Sequence, residues 1–170
     1  MPESISLIAA LDLNDQAAIL IRRAGRLAAQ CQARLVLAHV VDFHGGYESD
    51  HVPFLTPAQV QDQMVRHARA WLLGLVHHLE VPEVEILVRA GAVVPVLADL
   101  ALARNARYLV VGTGRWGPFG KLASLVKDTR LSAAGCELIS LEPASRPAVT
   151  GSSSRGRRLV GRMLGLGRAG

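Results

Sequence analysis

Residues 107–126 of the chain read Arg-Tyr-Leu-Val-Val-Gly-Thr-Gly-Arg-Trp-Gly-Pro-Phe-Gly-Lys-Leu-Ala-Ser-Leu-Val. This segment opens with an apolar run, Tyr108–Val111, whose residue types favour a β-strand. A loop with four glycines follows, and an apolar, helix-like pattern resumes near Leu122. Backbone N–H groups in such a strand–loop–helix unit can approach a phosphate closely, so the pattern indicates an anion site. The alternative interpretation is that the glycines only make a flexible turn.

The spacing excludes two stricter phosphate-binding motifs. A P-loop needs serine or threonine after its lysine to bind magnesium, but Lys121 is followed by Leu122. The letters from Gly112 onward do fit Gly-x-Gly-x-x-Gly. However, the acidic residue that a dinucleotide site needs after a second strand is not suitably placed.

Composition predicts one globular domain with an aliphatic core. The chain has 170 residues, of which 50% are hydrophobic and only 4% aromatic. No apolar run approaches the roughly 18–20 residues of a membrane span, and the start lacks the basic lead of a secretory signal. We therefore expect a cytoplasmic protein, in which Cys31 and Cys136 are buried free thiols.

The net charge of +5 is unevenly distributed along the chain. The residues from 143 onward contain six arginines and no acid, which leaves a net charge of −1 for residues 1–142. The folded part therefore offers no broad basic surface for nucleic acid. The change in composition divides the chain into an α/β domain, residues 1–142, and a tail rich in Arg, Gly and Ser, residues 143–170.

The tail allows two interpretations. Its first part has the composition of a flexible linker, and four glycines near its end disfavour a helix. Further on, Leu159, Val160, Met163, Leu164 and Leu166 would share one helical arc flanked by arginines. Residues 155–168 are therefore either a solubilising tail or a short basic amphipathic segment. In the second case the segment would lie on an anionic membrane surface or dock on a partner.

Strand and helix patterns alternate along residues 1–142. Apolar runs predict strands at Ile5–Leu11, Leu35–Val41, Val84–Val88, Tyr108–Val111 and Cys136–Leu141. Helical periodicity predicts a helix in each interval, beginning near Ala17, Thr56, Pro95 and Leu122. This order indicates a parallel sheet with helices on both faces, and alternating burial places the third strand near an edge.

The second helix has the clearest start signal. Thr56-Pro57-Ala58-Gln59 predicts a capping box with proline at the first helical position. Spacing then predicts a buried stripe of Val60, Met64, Ala68, Trp71, Leu75 and Leu79.

Ligands of parallel sheets bind beyond the carboxyl ends of the strands, at the point where the strand order reverses. Asp12, Val40 and Gly112 all lie at such ends, so we expect them to face one crevice. The loop after the second strand also holds Asp42, His44, Asp50 and His51. Their spacing fits no metal-binding pattern, so we predict a solvated loop and no metal site.

Over residues 4–142 the chain resembles a universal stress protein domain. The marks are Asp12 after the first strand, the run His39-Val40-Val41-Asp42, and Gly91…Pro95…Leu97…Ala101. The segment from Tyr108, Tyr-Leu-Val-Val-Gly-Thr-Gly, is similar to the family's "DLIVMGTHG". The resemblance implies a five-stranded parallel sheet of order 3-2-1-4-5 and a homodimer formed through the last strand. In one branch of the family it also implies bound ATP.

The loop departs from the pattern of the ATP-binding members, which is Gly-x-x-Gly, about nine residues, then Gly-Ser. Gly112 matches the first glycine, but Arg115 stands at the second, and the closing pair is replaced around Ser124. A side chain at a close-approach glycine could block the phosphates, or Arg115 and Lys121 could donate to them. The resemblance places Asp12 near the adenosine and the Val40 backbone near the adenine edge.

Two functions follow as hypotheses. The first is a dimeric stress or metabolic regulator that binds ATP or another adenine nucleotide, with Mg. Its predicted nucleotide-binding residues are Asp12, Val40, Gly112, Gly114, Arg115 and Ser124. The second is a nucleotide-free dimeric interaction protein that could regulate a membrane transporter through its basic tail. No nucleophile, base and orienting group are brought together by the pattern, so we predict no enzyme beyond, at most, slow ATP hydrolysis.

Overall fold

The computed structural model describes residues 5–42, 55–112 and 127–141, and these ranges form one α/β unit. The elements in chain order are β1 (Ser6–Ala10), α1 (Ala17–Gln30), β2 (Arg34–Val41), α2 (Pro57–His78), β3 (Glu85–Ala90), α3 (Val93–Ala103), β4 (Ala106–Gly112), α4 (Thr129–Ala133) and β5 (Glu137–Leu141). The predicted alternation is therefore confirmed, and the strand boundaries and the first three helix starts agree with the prediction within two residues.

The five strands form one parallel sheet of order β3-β2-β1-β4-β5. This confirms the predicted order, including the edge position of β3. All five residues of β1 are buried, because the strand lies at the centre of the sheet with helices on both faces. Strand order reverses between β1 and β4, since β2 and β3 extend the sheet on one side and β4 and β5 on the other.

The alternating side chains of the strands divide the core into two layers. One layer packs around α3 and includes Ile8, Val36, Leu97 and Leu109. The other packs around α1 and α2; it includes Leu7, Ile21, Leu37 and Leu72. At the amino edge, Glu85 accepts hydrogen bonds from Arg104 at 2.7 and 3.1 Å, which ties the start of β3 to the end of α3.

Helix α2 begins as predicted but packs differently. The Thr56 side chain accepts from the Gln59 backbone N–H, and the Gln59 side chain accepts from the Thr56 N–H, so the capping box is complete. The predicted stripe is wrong at Met64 and Trp71, which are 42% and 37% exposed. The fully buried large side chain of α2 is Leu72.

The predicted buried stripe of α2 is wider than the observed one because α2 covers only the edge of the sheet. The helix contacts β2 and β3, the outermost pair on that side, so a narrow arc meets the core. A 22-residue helix with so little buried surface presents most of its circumference to solvent. Among the described residues, no helix combines the length and apolarity needed to cross a bilayer.

Both cysteines are free, as predicted, but only half-buried. Cys31 caps the end of α1, and Cys136 precedes β5. Partial burial raises the pKa of the Cys136 thiol, because the thiolate loses solvation there. This disfavours a reactive thiolate at Cys136.

The short helix α4 is fixed to α3 by Arg130. Asp128 caps α4 by accepting from the Arg130 backbone N–H at 2.9 Å. The Arg130 guanidinium donates to both carboxylate oxygens of Asp128 and, at 2.8 Å, to Asp99 of α3. The predicted continuous helix from Leu122 to Ala133 is therefore wrong at Lys127 and Asp128, because Asp128 is the extended N-cap of a helix that begins at Thr129. Residues 122–126 lie outside the described ranges.

Arg130→Gln is expected to reduce the loss of stability in acid. The side-chain hydrogen bond from Arg130 lowers the pKa of Asp128 from its ordinary 3.8. A carboxyl whose folded pKa is depressed stabilises the fold above its unfolded pKa, and this contribution disappears as the pH falls through the folded pKa. Melting temperatures measured between pH 7 and pH 2 should therefore fall less for Arg130→Gln than for the unmodified protein.

The control for that change is Arg69→Gln, which removes an exposed arginine of α2. It should leave the acid-dependent part of the melting curve unchanged. An equal effect of both substitutions would mean that net charge, rather than the Asp128 pair, governs the acid response.

Candidate functional site

Three of the predicted site residues lie at one edge of the sheet. Ala10 at the end of β1 is paired with Ala38 of β2 on one side and Val111 of β4 on the other. The chain continues one or two residues beyond these pairs to Asp12, Val40 and Gly112. Because neighbouring strands are about 4.8 Å apart, these positions face a common crevice where the strand order reverses.

His39 ties the ends of β1 and β2 together. Its Nδ1 lies 2.7 Å from the carbonyl oxygen of Leu11, and the Leu11 N–H donates to the Ala38 carbonyl at 2.8 Å. Because a carbonyl can only accept, Nδ1 carries the proton, and Nε2 of the neutral ring is an acceptor. The histidine therefore orders the backbone just before Asp12.

A cavity of about 590 Å³ adjoins this crevice on the side of α2. Its volume is within the range of small-molecule sites. Most of its wall is apolar, with polar groups at a few points. The lining residues are Leu13, His39, Val40, Val41, Asp42, Val60, Gln63, Met64, His67 and Ala68.

Acidic groups dominate the described part of this edge. Asp12 follows β1, Asp15 lies in the next turn, and Asp42 follows β2 and lines the cavity. Arg66 of α2, which does not line the cavity, is paired with Asp62 of the same helix. The exposed Arg89 of β3 is in register with Val40 and adds a cation to this edge. Arg115 and Lys121, which follow β4 in the sequence, could supply further positive charge to a phosphate.

Gly112 does not have the positive φ that requires glycine. Among the described residues, a methyl group built at this glycine meets only the Leu20 side chain, at an ordinary contact distance of 3.5 Å. Gly91 is different: its φ of +140° and a 3.0 Å approach to Val96 require glycine. Gly91 also donates its N–H to the Val41 carbonyl, which fixes β3 against the end of β2.

Sequence reasoning placed Asp12, Val40 and Gly112 at this edge but did not predict the cavity. Gly114, Arg115 and Ser124 lie outside the described residues, as do His44, Asp50 and His51 of the loop assessed for metal. Within the described ranges, no three His, Cys, Asp or Glu residues form a group suited to a metal ion.

The contribution of α2 was missed, because Met64 was assigned to the core and no role was predicted for Gln63 or His67, which also line the cavity. One signal could have revealed it. His39 is a polar residue inside an apolar strand, on the face towards α1 and α2, and such a residue indicates a cavity or a buried hydrogen bond.

Comparisons with known proteins agree with this architecture. The sequence model of the universal stress protein family matches residues 6–128. Universal stress protein A homolog 1 of Coxiella burnetii is 25% identical over 135 residues, which cover 79% of this chain and 94% of that protein.

Two solved structures share the fold. One is a universal stress protein in complex with cAMP (19% identity, 84% of this chain and 99% of that chain, TM-score 0.52). The other is a universal stress protein from Archaeoglobus fulgidus in complex with dAMP (17% identity, 81% and 98%, TM-score 0.53). With the sheet order, the crevice at its reversal point and a family match over most of its length, the chain belongs to the universal stress protein family.

Proposed function

We propose that this protein is a regulator that binds an adenine nucleotide at the carboxyl edge of β1, β2 and β4. One observation carries the proposal: the strand ends bearing Asp12, Val40 and Gly112 converge beside a largely apolar cavity. A purine needs an apolar slot with a few polar contacts, whereas a ribose needs an acceptor such as a carboxylate. The carboxyl edge of the sheet provides an apolar cavity for the purine and the Asp12 carboxylate for the ribose.

Each described residue then has a role. The base would enter the cavity against Val40 and Met64, with the Val40 backbone groups available to its polar edge. Asp12 would accept hydrogen bonds from the ribose hydroxyls. The phosphates would extend towards Gly112 and the loop beyond it, where Gly114 and Ser124 would offer backbone groups and Arg115 a charge.

The relatives support an adenine nucleotide over other ligands. Two family members with this fold have been solved with cAMP and with dAMP, and both ligands contain adenine and one phosphate. A single phosphate suits the acidic edge described above better than three. Among ATP, AMP and cAMP, we therefore expect a monophosphate to bind at least as tightly as ATP, and without a requirement for Mg.

A homodimer through β5 completes the proposal. β5 is the last strand of the sheet, and among the described residues its outer edge has no neighbouring strand. Leu138, Ile139 and Leu141 on this strand are only half-buried. A second copy could cover both the edge and these side chains.

A panel of ligands tests the nucleotide proposal. Melting temperature is measured for the full chain with ATP, AMP, cAMP and GTP, each with and without Mg. A ligand at 100 times its dissociation constant adds about 2.7 kcal/mol of stability, which is a rise of roughly 5–10 °C for a chain of this size. Absence of any shift with all adenine nucleotides would leave the nucleotide-free interaction protein as the remaining hypothesis.

Gly112→Ala is expected to weaken nucleotide binding about tenfold without destabilising the fold. The added methyl group fits against Leu20 at an ordinary distance, so folding tolerates it. The same methyl group would occupy space that a bound nucleotide needs next to the backbone. Calorimetric titration measures the effect, and Gly25→Ala, within α1, is the matched control. Unchanged affinity in Gly112→Ala would place the ligand elsewhere.

A further inference from the structure

We propose that residues 158–166, the central part of the basic segment 155–168, dock in the cavity between β2 and α2. The segment is the part of the tail that carries Leu159, Val160, Met163, Leu164 and Leu166 together with Arg158 and Arg162. Docking there gives the protein an internal ligand. The regulatory consequence, competition with a nucleotide base for the same space, rests on the proposed function, whereas the docking itself does not.

The cavity has the surface that such a segment needs. Six of its lining residues are apolar, and one of them, Met64, is 42% exposed. An apolar side chain that is exposed beside a cavity gains free energy when another apolar side chain covers it. Leu159 and Met163 are four residues apart, so in a helical turn they project from one face towards such a groove.

The tail has the right length to reach the cavity. β5 ends at Leu141, at the same edge of the sheet as the cavity mouth. Three strand spacings separate β5 from β2, so the mouth lies about 15–20 Å from the end of β5. Residues 142–158 are 17 positions, and a chain of this composition has a root-mean-square length of about 21–25 Å. The effective concentration of a tethered ligand is highest when these two lengths are similar.

The charges are complementary. Residues 143–170 carry six arginines and no acid. Asp42 is the one described lining residue with a formal charge at neutral pH, with histidines counted as neutral. Asp12 and Asp15 lie at the same edge, so three acidic residues stand against the exposed Arg89, which is in register with Val40. Arg158 and Arg162 would thus meet an acidic rim while the leucines enter the apolar cavity.

Methionine methyl resonances test the docking in the full chain, in the absence of nucleotide. The chain has three methionines, Met1, Met64 and Met163, so one reporter lies in the cavity wall and one in the segment. The double change Arg158→Glu and Arg162→Glu is expected to shift the Met64 methyl resonance. The double change Arg146→Glu and Arg168→Glu alters the net charge equally but outside residues 158–166, and should leave the Met64 methyl resonance unshifted.

The reciprocal experiment changes the cavity and observes the segment. Met64→Lys is expected to shift the Met163 resonance, because a cation in the wall repels the arginines. Leu73→Lys adds the same charge at a 50% exposed position of α2 that does not line the cavity. This control should not shift the Met163 resonance. The shifts should persist on tenfold dilution. Equal effects of cavity and control variants, shifts that vanish on dilution, or a Met163 signal that responds only to added phosphatidylglycerol vesicles would each overturn the proposal.

Nucleotide binding provides a separate outcome. If the segment and the base compete, Arg158→Glu with Arg162→Glu should tighten AMP binding about fivefold, because a larger fraction of the protein has an empty cavity. Docking signals without any nucleotide binding would refute the proposed function and leave the docking in place. Nucleotide binding without docking signals would support the proposed function and refute the docking.

Discussion

Leu72→Ala is expected to lower the free energy of unfolding by about 3 kcal/mol, whereas Leu73→Ala should change it by less than about 0.5 kcal/mol. The two leucines are neighbours on α2, yet Leu72 is fully buried and Leu73 is 50% exposed. Truncating Leu72 removes apolar contacts with the layer beneath α1 and α2 and leaves a cavity. Urea denaturation of both variants measures the difference.

Trp71→Ala extends this comparison to the third consecutive side chain. The periodicity of the sequence assigned Trp71 to the core, but the structure leaves it 37% exposed. Its truncation should therefore cost much less than that of Leu72, despite the greater size of the indole. A larger loss for Trp71→Ala than for Leu72→Ala would show that α2 is rotated from the orientation described above.

Asp12→Asn is expected to weaken adenine-nucleotide binding by about 10- to 100-fold. A hydrogen bond to a charged group contributes about 1.5–3 kcal/mol, which corresponds to that range of affinity. The substitution keeps the size and shape of the side chain and removes the charge that would accept from the ribose. Calorimetric titration with AMP gives the affinity, and a melting curve without ligand confirms that the variant is folded.

Asp15→Asn is the matched control for Asp12→Asn. Asp15 is exposed in the turn before α1, three residues further along the chain, and the charge change is identical. If both variants lost affinity equally, the effect would be a general one of the acidic edge. A specific role for the Asp12 carboxylate predicts a loss in Asp12→Asn alone.

The fold could be predicted from sequence because its signals are local and mutually consistent. Apolar runs alternating with helical periodicity indicated the parallel sheet, and the mixed apolar and charged pattern of Val84–Val88 placed the third strand near an edge. The capping box at Thr56 fixed the start of α2 within one residue. The packing of α2 could not be predicted, because the buried arc depends on how far the helix lies beyond the edge strand. Its periodicity alone fits Trp71 and Leu72 almost equally.

The candidate site was predictable only where backbone topology determines it. Asp12, Val40 and Gly112 are brought together by strand order, and strand order follows from the family resemblance. The cavity was not predicted, because it depends on Met64 and His67 facing outward from the core and towards the end of β2. Helical periodicity predicts which side of a helix is buried, but it does not show which residues on that side extend past the edge of the sheet.

The most direct test of the ligand site is an amide NMR footprint of the full chain titrated with AMP. The account predicts the largest shift changes at Asp12, Val40 and Gly112, with smaller changes at Gln63 and Met64 on α2. Residues at the opposite edge, such as Glu85 and Arg104, should remain unchanged. Saturable changes confined to that opposite edge or to β5, with none at the ends of β1 and β4, would contradict it.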